Sequence, residues 1–159
     1  MTAAIGYYIR TSTGLQDGEG QRHAIEQRVR QEHGGDAWEN ATAYLDIGLS
    51  GADPKRPGCQ RMLSDASEGR LAVLYCYALS RLSRKLMELI RIVEHLQSTG
   101  CRLVFVTESI DASTPAGRLH LAFLAALAEY ERECIRERTL CALAARRARG
   151  HRLGRPPRD

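Results

Sequence analysis

Residues 3–12 read AAIGYYIRTS, an apolar run from Ala3 to Ile9 closed by Arg10, Thr11 and Ser12. A short apolar run with β-branched and aromatic residues reads as a buried strand. A hydroxyl at its end, beside a fixed cation, is what attack on a phosphodiester requires. Arginine binds phosphate oxygens bidentately and stabilises the charge that builds up in the transition state. Taken alone the signal is weak, because an exposed arginine and a turn-forming serine commonly follow a strand. It gains weight from Ser80-Arg81-Leu82-Ser83-Arg84, which follows a second apolar run. Arg81 and Arg84 are spaced i, i+3 and share one face of a helical turn. In a parallel sheet both segments lie at the carboxyl ends of the strands, where open α/β folds place their ligands.

The rest of the chain supports such a sheet. Short apolar runs alternate with helix-compatible segments, the pattern of an α/β domain. Four strands are expected, at Ala4 to Ile9, Ala41 to Leu45, Ala72 to Tyr77 and Arg102 to Thr107. Helices are expected at Gln21 to Glu32, ending at Gly34-Gly35, at Cys59 to Glu68, and at Lys85 to Ser98 with Leu86, Leu89, Ile90, Val93 and Leu96 on one face. The segment DIGLSGADPKRPG (residues 46–58) holds three glycines and two prolines and reads as a mobile loop. From Arg118 to Arg149 run 32 residues without glycine or proline. As one helix they would extend about 48 Å. The first half presents a broad apolar face (Leu119, Leu121, Phe123, Leu124, Leu127, Ala128), suited to the body and a partner subunit, and the second half is cationic. The organisation expected is an α/β core over residues 1–116, the long helix over 117–149 within the same domain, and a basic arm over 150–159.

A chain of 159 residues suffices for one domain with a proper core. At 43% hydrophobic and 26% charged, with no apolar window near the length of a membrane span, membrane insertion is not expected. No basic residue precedes Arg10, so no secretory signal is read and a cytoplasmic location is expected. Five cysteines and five histidines are scattered, with no C-x-x-C and no H-x-x-x-H, so neither disulfides, a metal nor a cofactor is expected. The net charge of +4 conceals an asymmetry: residues 136–159 carry +6 and the remainder −2. A basic end on a near-neutral body implies a polyanion partner, since displacing counterions from DNA supplies affinity without sequence recognition. Arg146, Arg147, Arg149, Arg152 and Arg155 are the expected double-stranded DNA contacts, the last two on an extended arm suited to a minor groove.

Several motifs, in order, cover nearly the whole chain: IGYYIRTST, Gln21, DIGLSGADPKRPG, LSRLSR, TPAGR (114–118), AEYERECIRERT (128–139) and ARGHRLGRP. In these the chain resembles the catalytic domain of the serine recombinases, the resolvase/invertase family. The resemblance implies a resolvase-like α/β domain with a long C-terminal helix. It also implies site-specific DNA strand exchange through a 5′-phosphoserine, by homodimers that meet as a tetramer. It implies Ser12 as nucleophile, Arg10, Arg81 and Arg84 as a phosphate clamp, Arg56 on the mobile loop as a further phosphate contact, and Arg132 as a supporting cation. Gln21, Tyr8, Asp46 and Glu131 would support the site. Read without the resemblance, Glu131-Arg132 also fits an exposed helix pair, Gln21 a helix start, and Tyr8 a buried strand residue.

One departure is Ser80, where the family pattern has aspartate. A hydroxyl is a poor acid near neutral pH and holds no guanidinium by charge. Either Asp46, Glu131 or water handles the proton, or the chain is a non-cleaving DNA-binding module of the same fold. A nucleotide-binding or phosphoacceptor domain is disfavoured by the lack of a glycine-rich phosphate loop, and a metal-dependent nuclease by the lack of clustered carboxylates at the first strand end.

Overall fold

The computed structural model describes residues 4–11, 16–48 and 56–148. Five strands and six helices are found among them: β1 (Ala4–Thr11), α1 (Gln16–His33), α2 (Gly35–Glu39), β2 (Thr42–Ile47), α3 (Pro57–Ser67), β3 (Leu71–Cys76), α4 (Leu79–Leu82), α5 (Leu86–Ser98), β4 (Arg102–Phe105), β5 (Ile110–Asp111) and α6 (Pro115–Ala148). The sheet order is β2-β1-β3-β4-β5, parallel except for the antiparallel β5. The chain steps one way from β1 to β2 and the other way from β2 to β3 and from β3 to β4. Right-handed crossovers therefore place α1 on one face and α3 and α5 on the other. The buried side chains agree. Tyr7, Ile9, Tyr75 and Val104 cluster with Ile25, Val29 and Trp38, whereas Tyr8, Tyr44, Leu74, Leu103 and Phe105 cluster with Met62, Val93 and Leu96. Reversal of direction between β1 and β3 opens a crevice at their carboxyl ends. That crevice lies where the first two arginine segments meet.

The four expected strands are present, and differences from the sequence reading have local causes. α1 begins at Gln16 and runs through Gly18 and Gly20, residues that disfavour helix. A Cβ at Gly18 would lie 3.3 Å from Thr11 Cγ2, so the helix needs the small residue to pass the end of β1. Gly34 takes the left-handed cap (φ 88°), but the chain re-enters helix at once as α2, whose Trp38 stacks on Tyr7 at 4.7 Å. α6 starts three residues early because proline fits the first helical turn and Thr114 Oγ1 accepts the Gly117 amide at 3.0 Å. β5 has only two residues, too few to show a pattern.

The chain divides into two compact units, residues 1–122 and 123–159. In the second, the described part is helix, with Phe123, Tyr130, Ile135 and Leu140 exposed. Cys59, Cys76 and Cys101 are buried free thiols, and Cys141 is exposed. Among the described residues no helix is long and apolar enough to cross a membrane, and no cluster of metal-ligating side chains is found.

A polar network ties the α1 side to the far sheet edge. Glu32 accepts from the Tyr75 hydroxyl (2.6 Å) and Arg102 Nη1 (2.9 Å), and Arg102 Nε donates to Asp111 (2.7 Å). Burial alone would raise the Glu32 and Asp111 pKa values, but their hydrogen bonds and Arg102 outweigh it and hold both below the ordinary carboxylate range. Groups depressed in this way contribute stability above their unfolded values and lose it as pH falls through the folded ones. We expect urea midpoints to fall on acidification below about pH 5, and to fall less steeply in Arg102→Met. An identical acid dependence in the two proteins would contradict this account.

Candidate active site

Strand periodicity places Tyr8 and Arg10 on the α3/α5 face of β1. Arg10 pairs in register with Asp46 of β2. The Tyr8 hydroxyl donates to Asp46 Oδ2 at 2.7 Å, the Gly58 amide to Oδ1 at 2.8 Å and the Cys59 amide to Oδ2 at 3.1 Å. Asp46 is 1% exposed and caps the first turn of α3 with its charge. The close approach also fixes Gly58, whose Cβ would fall 2.6 Å from the Leu45 carbonyl oxygen. Burial, reinforced by Asp46, pushes the Tyr8 hydroxyl far above its ordinary pKa, so it stays protonated. The Cys59 thiol, beside it, is pushed up to about 11 by burial.

Arg10 is fully buried, and its guanidinium is held by main chain: Nε donates to the Arg81 carbonyl at 3.0 Å and Nη2 to the Ser80 carbonyl at 2.9 Å. Its pKa is lowered, first by burial and then by the fields of Arg84, Arg81 and Arg56, with the Tyr8 side chain acting in the opposite sense. Arginine remains charged through such shifts, so Arg10 is a buried cation lying in the field of three others. Ser80 is exposed, and because Arg10 uses its carbonyl, this contact is independent of the side chain at position 80.

Arg56 corrects one expectation. The sequence reads it as part of a mobile loop, but it is the N-cap residue of α3 and only 4% exposed. Its Nη1 donates to the Leu82 carbonyl and its Nη2 to Glu88 Oε1 at 2.6 Å, while Ser83 Oγ donates to Glu88 Oε2 at 2.6 Å. Burial acts to lower its pKa, but the surroundings, including Cys59, Tyr8 and Glu88, outweigh this and raise it. Asp46 and Ile47, also read as loop, close β2, and Pro57 and Gly58 open α3, where proline fits the first helical position; residues 49–55 lie outside the described residues.

Gln21 is buried, and its Nε2 donates to the Arg10 carbonyl at 3.2 Å. Its Oε1, Thr11 Oγ1 and Glu108 Oε2 are buried without hydrogen-bond partners among the described residues. All three belong to residues at or beside the carboxyl end of the sheet, where unsatisfied groups point to function. Ser12 lies outside the described residues, as do Arg149, Arg152 and Arg155 and the side chains of Glu131, Arg146 and Arg147. Arg132, in the second unit, pairs with Glu129 at 3.3 Å, an exposed helix pair. Sequence reading missed Ser83, Glu88 and Glu108. Glu88 and Glu108 fall in none of the motifs that mark the other residues.

Residues 4–152 match the family model described as the resolvase N-terminal domain. The chain belongs to the resolvase family of serine recombinases. The serine recombinase gin of Escherichia phage Mu is 36% identical over 151 residues, which cover 95% of this chain and 72% of that protein. The DNA-invertase hin of Salmonella typhimurium is 37% identical over 154 residues, covering 97% and 74%. Among solved structures, the N-terminal catalytic domain of TP901-1 integrase superposes with a TM-score of 0.70 at 29% identity, covering 82% of this chain and 98% of that one. A resolvase-family site-specific recombinase from Streptococcus pneumoniae gives 0.67 at 27% identity, covering 91% and 99%. The resolvase fold thus accounts for the five-stranded sheet and for a long helix at its end.

Proposed function

We propose that this resolvase-family chain is a site-specific DNA recombinase that breaks and rejoins DNA through a 5′-phosphoserine on Ser12. The observation that carries the reading is Arg10, fully buried near the carboxyl end of β1 and two residues before Ser12, bonded to the turn after β3 that carries Arg81 and precedes Arg84, with Arg56 bonded to the end of that same turn. Ser12 Oγ attacks a DNA phosphorus and forms an O–P bond as the bond to the deoxyribose 3′-oxygen breaks. The serine proton leaves, and a proton reaches the departing 3′-oxygen. The linkage conserves the energy of the phosphodiester, so attack by another 3′-hydroxyl reseals the DNA without a nucleotide. The arginines neutralise the charge that accumulates on the phosphorane oxygens. Arg10 is pre-set for this by two carbonyls, Gln21 steadies the Arg10 carbonyl, and Tyr8 and Asp46 hold the strand end. The family resemblance adds Arg132 as a supporting cation and Glu131 as a supporting acid. The exposed apolar residues of α6 fit a two-fold partner, giving one nucleophile per strand, with two dimers meeting for exchange. Arg146, Arg147, Arg149, Arg152 and Arg155 then follow the duplex backbone in the cytoplasm.

Trapping a covalent protein–DNA adduct on a supercoiled plasmid carrying the recombination site tests the reading. A denaturation-resistant adduct is expected, and its absence favours a non-cleaving DNA-binding module, the reading that Ser80 motivates. Position 80 has its own test. Ser80→Asp should raise the adduct rate about a hundredfold, the low side of what a positioned acid contributes. An unchanged or lower rate would show that the residue at position 80 does not limit the reaction.

A further inference from the structure

We propose that Glu108 is a positioning residue for the arginine cluster, anchoring the turn that holds Arg10 and carries Arg81. The inference rests on the active-site reading above for its consequence, but on separate geometry for its substance. Val106 and Thr107 extend β4 beyond its last strand residue, donating their amides to the Cys76 and Tyr77 carbonyls at 2.9 and 2.8 Å, and Thr107 Oγ1 donates to Tyr77 as well. Ser109 then adopts φ 53°, the left-handed region that a non-glycine residue occupies only at a cost. Between these constraints Glu108 is directed at α4, where its Oε1 accepts the Leu79 amide at 3.1 Å. Its Oε2 is buried and has no hydrogen-bond partner among the described residues.

The consequence follows the main chain. Leu79 opens the four-residue helix α4, whose next two carbonyls, those of Ser80 and Arg81, accept both described hydrogen bonds from the Arg10 guanidinium. Four residues are too few for a helix to hold itself, so its orientation depends on what grips its ends. The Leu82 end is gripped by Arg56, and the Leu79 end by Glu108. Ser80 brings no charge to this turn. Glu108 brings one, on a strained loop tied to β3, and strain of this kind collects at functional sites.

The test separates this inference from the identity of the nucleophile. Exchange of the Arg10 Nε–H and Leu79 amide protons with solvent is measured by NMR on the DNA-free chain, and adduct formation is measured in parallel. Glu108→Ala should speed both exchanges about tenfold or more, as expected for loss of a charge-assisted bond, and slow adduct formation about tenfold. Glu108→Gln, which can still accept the Leu79 amide, should restore most of the protection and rate. If Glu108→Ala does not fold, Glu108→Asp carries the test, since its shorter arm should raise Arg10 exchange. Wild-type Arg10 exchange in whichever of these variants folds overturns the proposal, whether or not the wild-type chain forms an adduct. Failure of the wild-type chain to form an adduct would count against the Ser12 reading alone.

Discussion

Ser12→Ala is expected to abolish covalent attachment to DNA, a loss of at least about 10⁴-fold, while leaving the fold and weak DNA association intact. The expected size follows from chemistry, because no adduct can form without an atom to bond to phosphorus. The arginines should keep their described anchors, the carbonyls of Ser80 and Arg81 for Arg10 and the Leu82 carbonyl and Glu88 for Arg56. DNA association, drawn from the arginines, should therefore change little in the same titration, and unfolding free energy should stay within about 0.5 kcal/mol. If the substitution instead unfolds the chain, Ser12 is structural. If an adduct still forms, another nucleophile attacks the phosphate and the assignment is wrong.

The arginines were legible in the sequence, but the way they are held was not. Arg10, Arg81 and Arg84 could be grouped because each follows an apolar run that had to be a parallel strand, and parallel strands end on one side. Strand register is set by hydrophobic alternation, which is why Tyr8 and Arg10 fall on one face and Tyr7 and Ile9 on the other. Arg56 reads as loop because glycines and prolines surround it, yet composition cannot anticipate that Leu82 and Glu88, 26 and 32 residues later, close around it. Glu108 was invisible for the same reason. Its partner is a backbone amide, and a backbone amide leaves no residue type in the sequence to pair with. α2 was hidden because Gly34-Gly35 is a helix stop by every local criterion, and only the packing of Trp38 on Tyr7 makes another turn worthwhile.

Asp46 could be an agent of proton transfer or a structural keystone, and its geometry favours the second. Both carboxylate oxygens are occupied, by the Tyr8 hydroxyl and by two amides of the first turn of α3, in a site 1% exposed. Truncation would leave all three donors buried and unsatisfied, each at about 1–3 kcal/mol. Asp46→Ala should therefore lower unfolding stability by at least about 3 kcal/mol, a large fraction of the ~5–15 kcal/mol typical of a domain. Tyr8→Phe removes one of the three bonds and should cost about 1 kcal/mol. Asp46→Asn should fall between them, because its amide keeps one acceptor and turns a donor toward another donor. Urea unfolding of the three variants decides the matter. A proton shuttle would give the opposite pattern, with Asp46→Asn as stable as wild type but unable to form the adduct, and that result would return Asp46 to the chemistry. A graded loss of stability would place it beneath the site, where it holds the ends of β1 and β2 against α3 so that Arg10 enters the phosphate crevice already oriented.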